Sequence, residues 1–259
     1  MKNHHIPAGK ITTTISNQVA TVIFEHPSHN ALPSDLLKQL AAEIRNLGKN
    51  KAINVILLTS AGIKTFCAGA NFDELLTIRD RDSGKTFFAG FAHVINEIRL
   101  SSKLVIGRVQ GKAIGGAVGL AAACDYCFAH VNAHIKLSEL TIGIGPFVIA
   151  PVIQRKMGLN ALTRLSFNPE IFRSADWAMK YGLFQSVYED IEQLDEAVQE
   201  FCQKLSKYPP TALSELKKTL WQGTDHWDTM LLSQAEISGS LVVEQQTKTL
   251  LENFKNKKK

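Results

Sequence analysis

A chain of 259 residues, 45% hydrophobic and 20% charged, has the length and apolar content to bury a core in one large domain with a helical appendage, which excludes a disordered protein. Its formal charge of +5 is concentrated in Lys255, Lys257, Lys258 and Lys259, so the body is nearly neutral and the tail is expected to be a solvated end, with no nucleic acid as partner. No run approaches the roughly 18 apolar residues of a spanning helix, the opening residues lack the apolar stretch of an export signal, and four cysteines are too few for a disulfide framework. The expectation is a cytoplasmic protein with buried thiols and no membrane contact.

Residues 11–15 and 19–24 are β-branched runs split by Ser16, Asn17 and Gln18, the pattern of a hairpin. After Pro27, residues 34–47 set Leu36, Leu37, Leu40, Ala41, Ile44 and Leu47 at helical spacing, with Ser34 available as an N-cap. A strand over 54–59 follows. Phe87, Phe91, Val94, Ile95 and Ile98 then make one helix face, and 104–109 reads as the next buried strand. Strand and helix in repeated alternation predict an α/β fold with parallel pairing. From about Asp190 the strands stop, and helices are predicted over 192–205, 211–221 and 225–251, the first two separated by Pro209 and Pro210. The organisation expected is a core over 1–190 and a C-terminal helical region over 191–259.

Two segments share one design, a buried strand running into small residues and then into a helix. The first is Phe66-Cys67-Ala68-Gly69-Ala70-Asn71-Phe72; the second runs from Gly111 through Gly115, Gly116 and Gly119 to Asp125. Small side chains let a ligand approach the backbone, and a helix start leaves N–H donors unpaired, two of which can make an oxyanion hole. The same glycines would equally serve tight strand-helix packing, so both readings stand on these residues alone. Other motifs are weaker. No GxGxxG or GxSxG occurs, and Gly84-Lys85-Thr86 has Arg79 where a phosphate loop needs its first glycine. His130 and His134 are four apart without a carboxylate motif, and Cys124 and Cys127 form a lone CxxC, so no metal is expected. Trp221, His226 and Trp227 suit packing or subunit contact.

The order, content and spacing of these pieces resemble the enoyl-CoA hydratase/isomerase, or crotonase, superfamily over roughly residues 10 to 190. The matching pieces are Pro27 with Asn30-Ala31-Leu32, the loop from Phe66 to Ala70, the turn and helix from Gly111 to Asp125, Ser138-Glu139 with Gly143, and Arg155 with Gly158. Ser174, Ala175, Ala178, Gly182, Leu183 and Val187 match the helix before the last core strand. The resemblance implies a ββα spiral core and a C-terminal helical trimerisation region, assembled as a homotrimer or hexamer. It implies an acyl-CoA substrate, CoA being part of the substrate and no separate cofactor being needed. By the same resemblance the Ala70 and Gly116 N–H groups hold the thioester oxygen, Glu139 is the acid/base, and residues from Ala68 through Ala70, Asn71 and Phe72 to Asp73 line the pantetheine and adenine, with Gly116 and Gly119 beside the acyl group.

Two departures bear on the reaction. Hydratases of the family carry two glutamates; the later one matches Glu139, while the earlier falls on Gly119, and Leu120 beside it lacks the acid of dehalogenase-type members. One carboxylate suffices to move a proton from the α to the γ carbon, which is double-bond isomerisation, whereas hydration ordinarily wants a second group to position water. The stretch Gly145-Pro146-Phe147-Val148-Ile149 is bulky where many members are glycine-rich, which favours short or branched acyl groups. Isomerisation is therefore the leading expectation. A hydratase for a short or branched substrate such as methylglutaconyl-CoA is the alternative, and a catalytically silent CoA- or RNA-binding homologue is the alternative of another class.

Overall fold

The computed structural model describes residues 8–257; the opening residues 1–7, and Lys258 and Lys259 of the lysine tail, lie outside the described residues. The chain opens with the antiparallel hairpin β1 (Lys10–Ser16) and β2 (Val19–Glu25), in which Ser16 pairs with Val19. That register leaves a two-residue turn, and Asn17 and Gln18 both take positive φ, 50° and 63°, matching the twist of the flanking strands. Along β2, Ala20, Val22 and Phe24 alternate into the core.

The strands β3 (Val55–Ser60), β5 (Leu104–Val109), β7 (Tyr126–His130) and β9 (Ser186–Tyr188) join β2 in parallel, giving a six-stranded sheet in the order β1-β2-β3-β5-β7-β9. After β3, β5 and β7 the chain adds a strand to a second, parallel sheet: β4 (Thr65–Cys67), β6 (Lys112–Ile114) and β8 (Ile135–Lys136). Helices then return it to the large sheet: α3 (Arg81–Leu100) after β4 and the short α2 (Phe72–Leu75), α4 (Gly116–Ala123) after β6, and α5 (Ala150–Ser166) after β8 and a 3-10 turn over Glu139–Ile142. The C-terminal ends of all three small-sheet strands therefore emerge side by side, and they carry residues 68–70, 115–116 and 137–139.

Helix α1 (Ser34–Lys49) buries the six apolar residues expected of it, each fully buried Leu or Ile contributing about 1.5–3 kcal/mol. Ser34 is not its N-cap. Pro33 occupies that position without a side-chain bond, and the Ser34 N–H donates to Glu74 Oε2 at 2.7 Å, so a distant carboxylate does the capping. The strand expected over 54–59 begins one residue later, because the Asn54 side chain is engaged with Gln18 Oε1 and the Ser206 carbonyl.

After α6 (Ala175–Lys180) and β9, α7 (Ile191–Ser206) and α8 (Pro210–Leu220) cover the far face of the large sheet, where Leu194, Val198 and Leu213 join Val55, Leu104, Ile106 and Phe128 in a separate apolar cluster. The single helix expected over 225–251 is instead two, α9 (Trp227–Leu241) and α10 (Gln245–Lys257). Apolar periodicity runs on through the break, but packing does not. A Cβ on Gly84 of α3 would stand 2.8 Å from Gly239 Cα of α9, so the two backbones touch through paired glycines, and Val242 is pinned beside them. The chain turns there so that α10 can cross to the 3-10 turn, where Thr247 Oγ1 donates to the Gly143 carbonyl at 3.1 Å. Gly84-Lys85-Thr86 is thus helix packing. No helix among the described residues is long and apolar enough to cross a membrane.

Candidate active site

The first small-sheet strand ends in a loop held from both sides. Leu32 N–H donates to the Gly69 carbonyl at 2.8 Å, and Asn71 N–H donates to the Leu32 carbonyl at 3.1 Å. Asn30, itself at φ 57°, ties the approach by donating its amide to the Ala61 and Thr65 carbonyls. Between these bonds the Ala70 N–H meets no acceptor among the described residues. The second strand ends at Gly115, whose φ of 57° turns the chain into α4; Gly116 is the first residue of that helix, and its N–H also has no acceptor among the described residues.

These two turns lie against each other. A Cβ on Gly69 would stand 2.6 Å from the Ile114 carbonyl oxygen and 3.5 Å from the Gly116 nitrogen, with φ at 85° besides, so only glycine fits. Gly116 is backed by Phe91 of α3, whose Cε1 lies 2.3 Å from where a Cβ would be. Phe91 reads in the sequence only as one member of an apolar helix face, and nothing local marks this contact.

The third strand leads into Ser138 and Glu139. The residue as a whole is half-buried, but Oε2 is shut off from solvent and has no hydrogen-bond partner among the described residues. Oε1 lies 2.7 Å from the position a Gly115 Cβ would take, so the carboxylate rests on the turn that presents the Gly116 N–H. Burial pushes its pKa from the ordinary 4.5 up to about 7, opposed only by its own backbone N–H. Orphaned buried polar atoms are rare. The others among the described residues are Asn71 Nδ2 and Arg173 Nε, so two of the three are in residues singled out by the sequence.

The remaining candidates are placed less uniformly. Asn71 is fully buried and accepts from Glu74 N–H at 3.0 Å as the N-cap of α2. Ala68 and Asp73 are half-buried on the same loop and helix, and the Phe72 ring packs 5.1 Å from Phe254 of α10. Gly119 is buried under Ile149, whose Cγ2 would be 2.3 Å from a Cβ there. The other motifs stay structural. No His, Cys, Asp and Glu cluster able to hold a metal occurs among the described residues, and His130 bonds backbone groups of Glu189 and Asn132. All four cysteines are buried free thiols.

Comparison with known proteins bears on the family and the fold. The family model described as enoyl-CoA hydratase/isomerase matches residues 14–259. The chain is 30% identical over 245 residues to the short-chain-enoyl-CoA hydratase of Clostridium acetobutylicum, covering 93% of each. It is also 30% identical over 199 residues to the human peroxisomal bifunctional enzyme, of which it spans 26%. Among solved structures, an enoyl-CoA hydratase from Bacillus halodurans superimposes with a TM-score of 0.87 at 23% identity, covering 94% of this chain and 99% of that one, which speaks to the fold.

Proposed function

The chain belongs to the enoyl-CoA hydratase/isomerase family, and from that premise we propose that it binds an acyl-CoA thioester and moves a double bond by one-carboxylate proton transfer through an enolate. The observation that carries this reading is the buried Glu139 carboxylate, with one oxygen unpartnered, resting on the turn whose Gly116 N–H is free beside the free Ala70 N–H.

In the reaction we propose, the thioester oxygen accepts from Ala70 and Gly116 N–H. Glu139 removes the α proton, the C–H electron pair passes into the enolate, and the two donors stabilise the charge that grows on oxygen. Each such donor is worth about 3 kcal/mol of barrier. Glu139, now neutral, delivers a proton at the γ carbon, and exchange of its carboxyl proton with solvent during the enolate's lifetime carries deuterium into the substrate. A pKa near 7 suits both directions of transfer, since the group is neither too weak a base nor too weak an acid at neutral pH. The loop from Ala68 to Asp73 would carry the pantetheine and adenine of CoA.

A second reading, hydration of a short or branched enoyl-CoA, is favoured by the name of the Clostridium relative and by the bulk of residues 145–149. Incubation with a panel of enoyl-CoAs in deuterated water separates the two: we expect α-proton exchange and double-bond migration to exceed hydration. Hydration faster than migration would favour the second reading, and no exchange, migration or hydration with any substrate would leave only the silent homologue.

Assembly and location complete the proposal. Leu216, Leu220 and Ile237 on the C-terminal helices stay 42–54% exposed, and burial of these residues against neighbours in a closed trimer or hexamer is the arrangement we expect. A monomer by light scattering at micromolar concentration would refute it. The buried free thiols fit a cytoplasmic setting.

A further inference from the structure

Gly119 has no unusual backbone conformation that would call for glycine; what excludes a side chain there is Ile149. A Cβ at 119 would lie 2.3 Å from Ile149 Cγ2 and 2.6 Å from its Cβ, but 3.6 Å from its Cα. The isoleucine side chain therefore fills the notch that the glycine leaves in α4. Gly119 follows Gly115 by four residues and Gly116 by three, so the notch opens on the same side of the helix as the turn that supports Glu139.

The way Ile149 reaches that notch is built into the preceding turn. Gly145 leaves room for the Phe147 ring, whose Cε2 and Cζ lie 2.6 Å from where a Cβ would stand, so Phe147 folds back on its own chain. The Pro146 carbonyl accepts from Ile149 N–H at 3.2 Å and from Ala150 N–H at 2.8 Å, closing the start of α5 with Ile149 as its N-cap residue. Ile149 is 3% exposed, and its β-branch leaves it few rotamers. A water held at this place needs two to four polar partners, and the Gly119 to Ile149 contact is hydrocarbon against a bare helix backbone.

We propose that Ile149 is the specificity-determining residue that keeps water away from the β carbon of the bound acyl chain, so that the α,β-enoyl thioester formed by proton return at the γ carbon leaves without water adding to it. This rests on the enolate reading above and adds to it the device that decides between its two outcomes. Ile149 occupies with methyl groups the volume that a carboxylate from position 119 would need.

The test uses the full-length protein and the enoyl-CoA panel in deuterated water, measuring α-proton exchange separately from the ratio of hydration to migration. Ile149→Gly clears the notch down to the Cα, and glycine is well tolerated at a helix N-cap. It should raise the ratio at least ~10-fold, the scale on which filling or emptying a pocket by a few carbons discriminates substrates, while exchange persists. Combining it with Gly119→Glu should raise the ratio further, whereas Gly119→Glu alone, blocked by Ile149, should not. If Ile149→Gly does not fold, Ile149→Ala, which retains the Cβ, should give the same direction. An unchanged ratio in a folded Ile149→Gly or Ile149→Ala enzyme that still exchanges its α proton would overturn the proposal. So would a parent enzyme that exchanges and already hydrates faster than it isomerises. A parent that exchanges no α proton would instead defeat the enolate reading, and the role of Ile149 with it.

Discussion

Asp125 and Glu139 lie fourteen residues apart, both with carboxylates withdrawn from water, and the fold treats them oppositely. Asp125 follows α4 and is fully provided for: Oδ2 accepts from Lys217 Nζ at 2.9 Å and from Val105 N–H at 2.7 Å, while Oδ1 accepts from the Trp221 indole at 2.9 Å. Lys217 is buried with it and also donates to the Lys103 carbonyl. Helix α8 and the residue that caps it are thereby fastened to β5 through one charge. Glu139 has no donor beyond its own N–H, and desolvation outweighs that one bond in setting its protonation. The contrast is between a carboxylate whose donors join one element to another and one left without them. Burial without donors brings the two protonation states of Glu139 close in free energy near neutral pH.

The largest effect should come from breaking the satisfied pair. Lys217→Met leaves Asp125 buried without its counter-charge, and loss of one partner of a buried pair costs about 3–5 kcal/mol. Urea denaturation should show that loss, while α-proton exchange by the folded fraction stays at the parental rate. A loss below about 1 kcal/mol would mean the pair is not the tie described here.

Glu139→Gln should act in the reverse sense. With the base removed, α-proton exchange is expected to fall at least ~100-fold with CoA affinity nearly unchanged; near-normal exchange would remove Glu139 from the mechanism. Its stability should rise relative to the parent. The folded state holds the Glu139 proton more tightly than the unfolded chain, about 7 against 4.5, so the stabilisation of the protonated form is complete below pH 4.5 and is lost as pH rises through 7. Above that the ionised group costs about 3 kcal/mol. The stability difference between Glu139→Gln and parent should therefore widen between pH 5 and 8, while parental exchange rises over that range as the base form appears. Parallel stability curves would contradict the burial assigned to this group.

What was legible in the sequence follows the range of the interactions. The hairpin is specified within residues 11–24 by β-branched runs around Asn17-Gln18, and the glycine turns show themselves because Gly69 and Gly115 must take positive φ where they stand. Glu139 is marked by the family resemblance, which matches Ser138-Glu139 after those turns. Its burial and the missing partner of Oε2 depend on every element around it. The strands of the small sheet, two or three residues each, are too short for periodicity to declare. Ile149 on Gly119, Phe91 on Gly116 and Lys217 on Asp125 join positions 25 to 92 residues apart, where no local pattern points from one to the other. The break between α9 and α10 was hidden for the same reason, since it is decided by Gly84 on another helix.

The smallest expected effect comes from removing one donor from Asp125 and leaving its charge pair intact. Trp221→Phe deletes the indole N–H that reaches Oδ1 but retains an aromatic ring beside Trp227, now 5.8 Å away edge to face, and under the Arg155 guanidinium at 5.5 Å. A hydrogen bond to a charged group contributes about 1.5–3 kcal/mol. Oδ2 retains both of its donors, and Trp221 is only half-buried, so water can partly replace the lost donor and the cost should fall at or below the lower end of that range. Exchange should be untouched, because nothing in this cluster bonds to Glu139. A loss as large as that of Lys217→Met would mean that the indole, and not the ammonium, holds Asp125 in place. A measurable change in exchange would show that the two carboxylates communicate through α4, the helix that has Gly116 at one end and leads to Asp125 at the other.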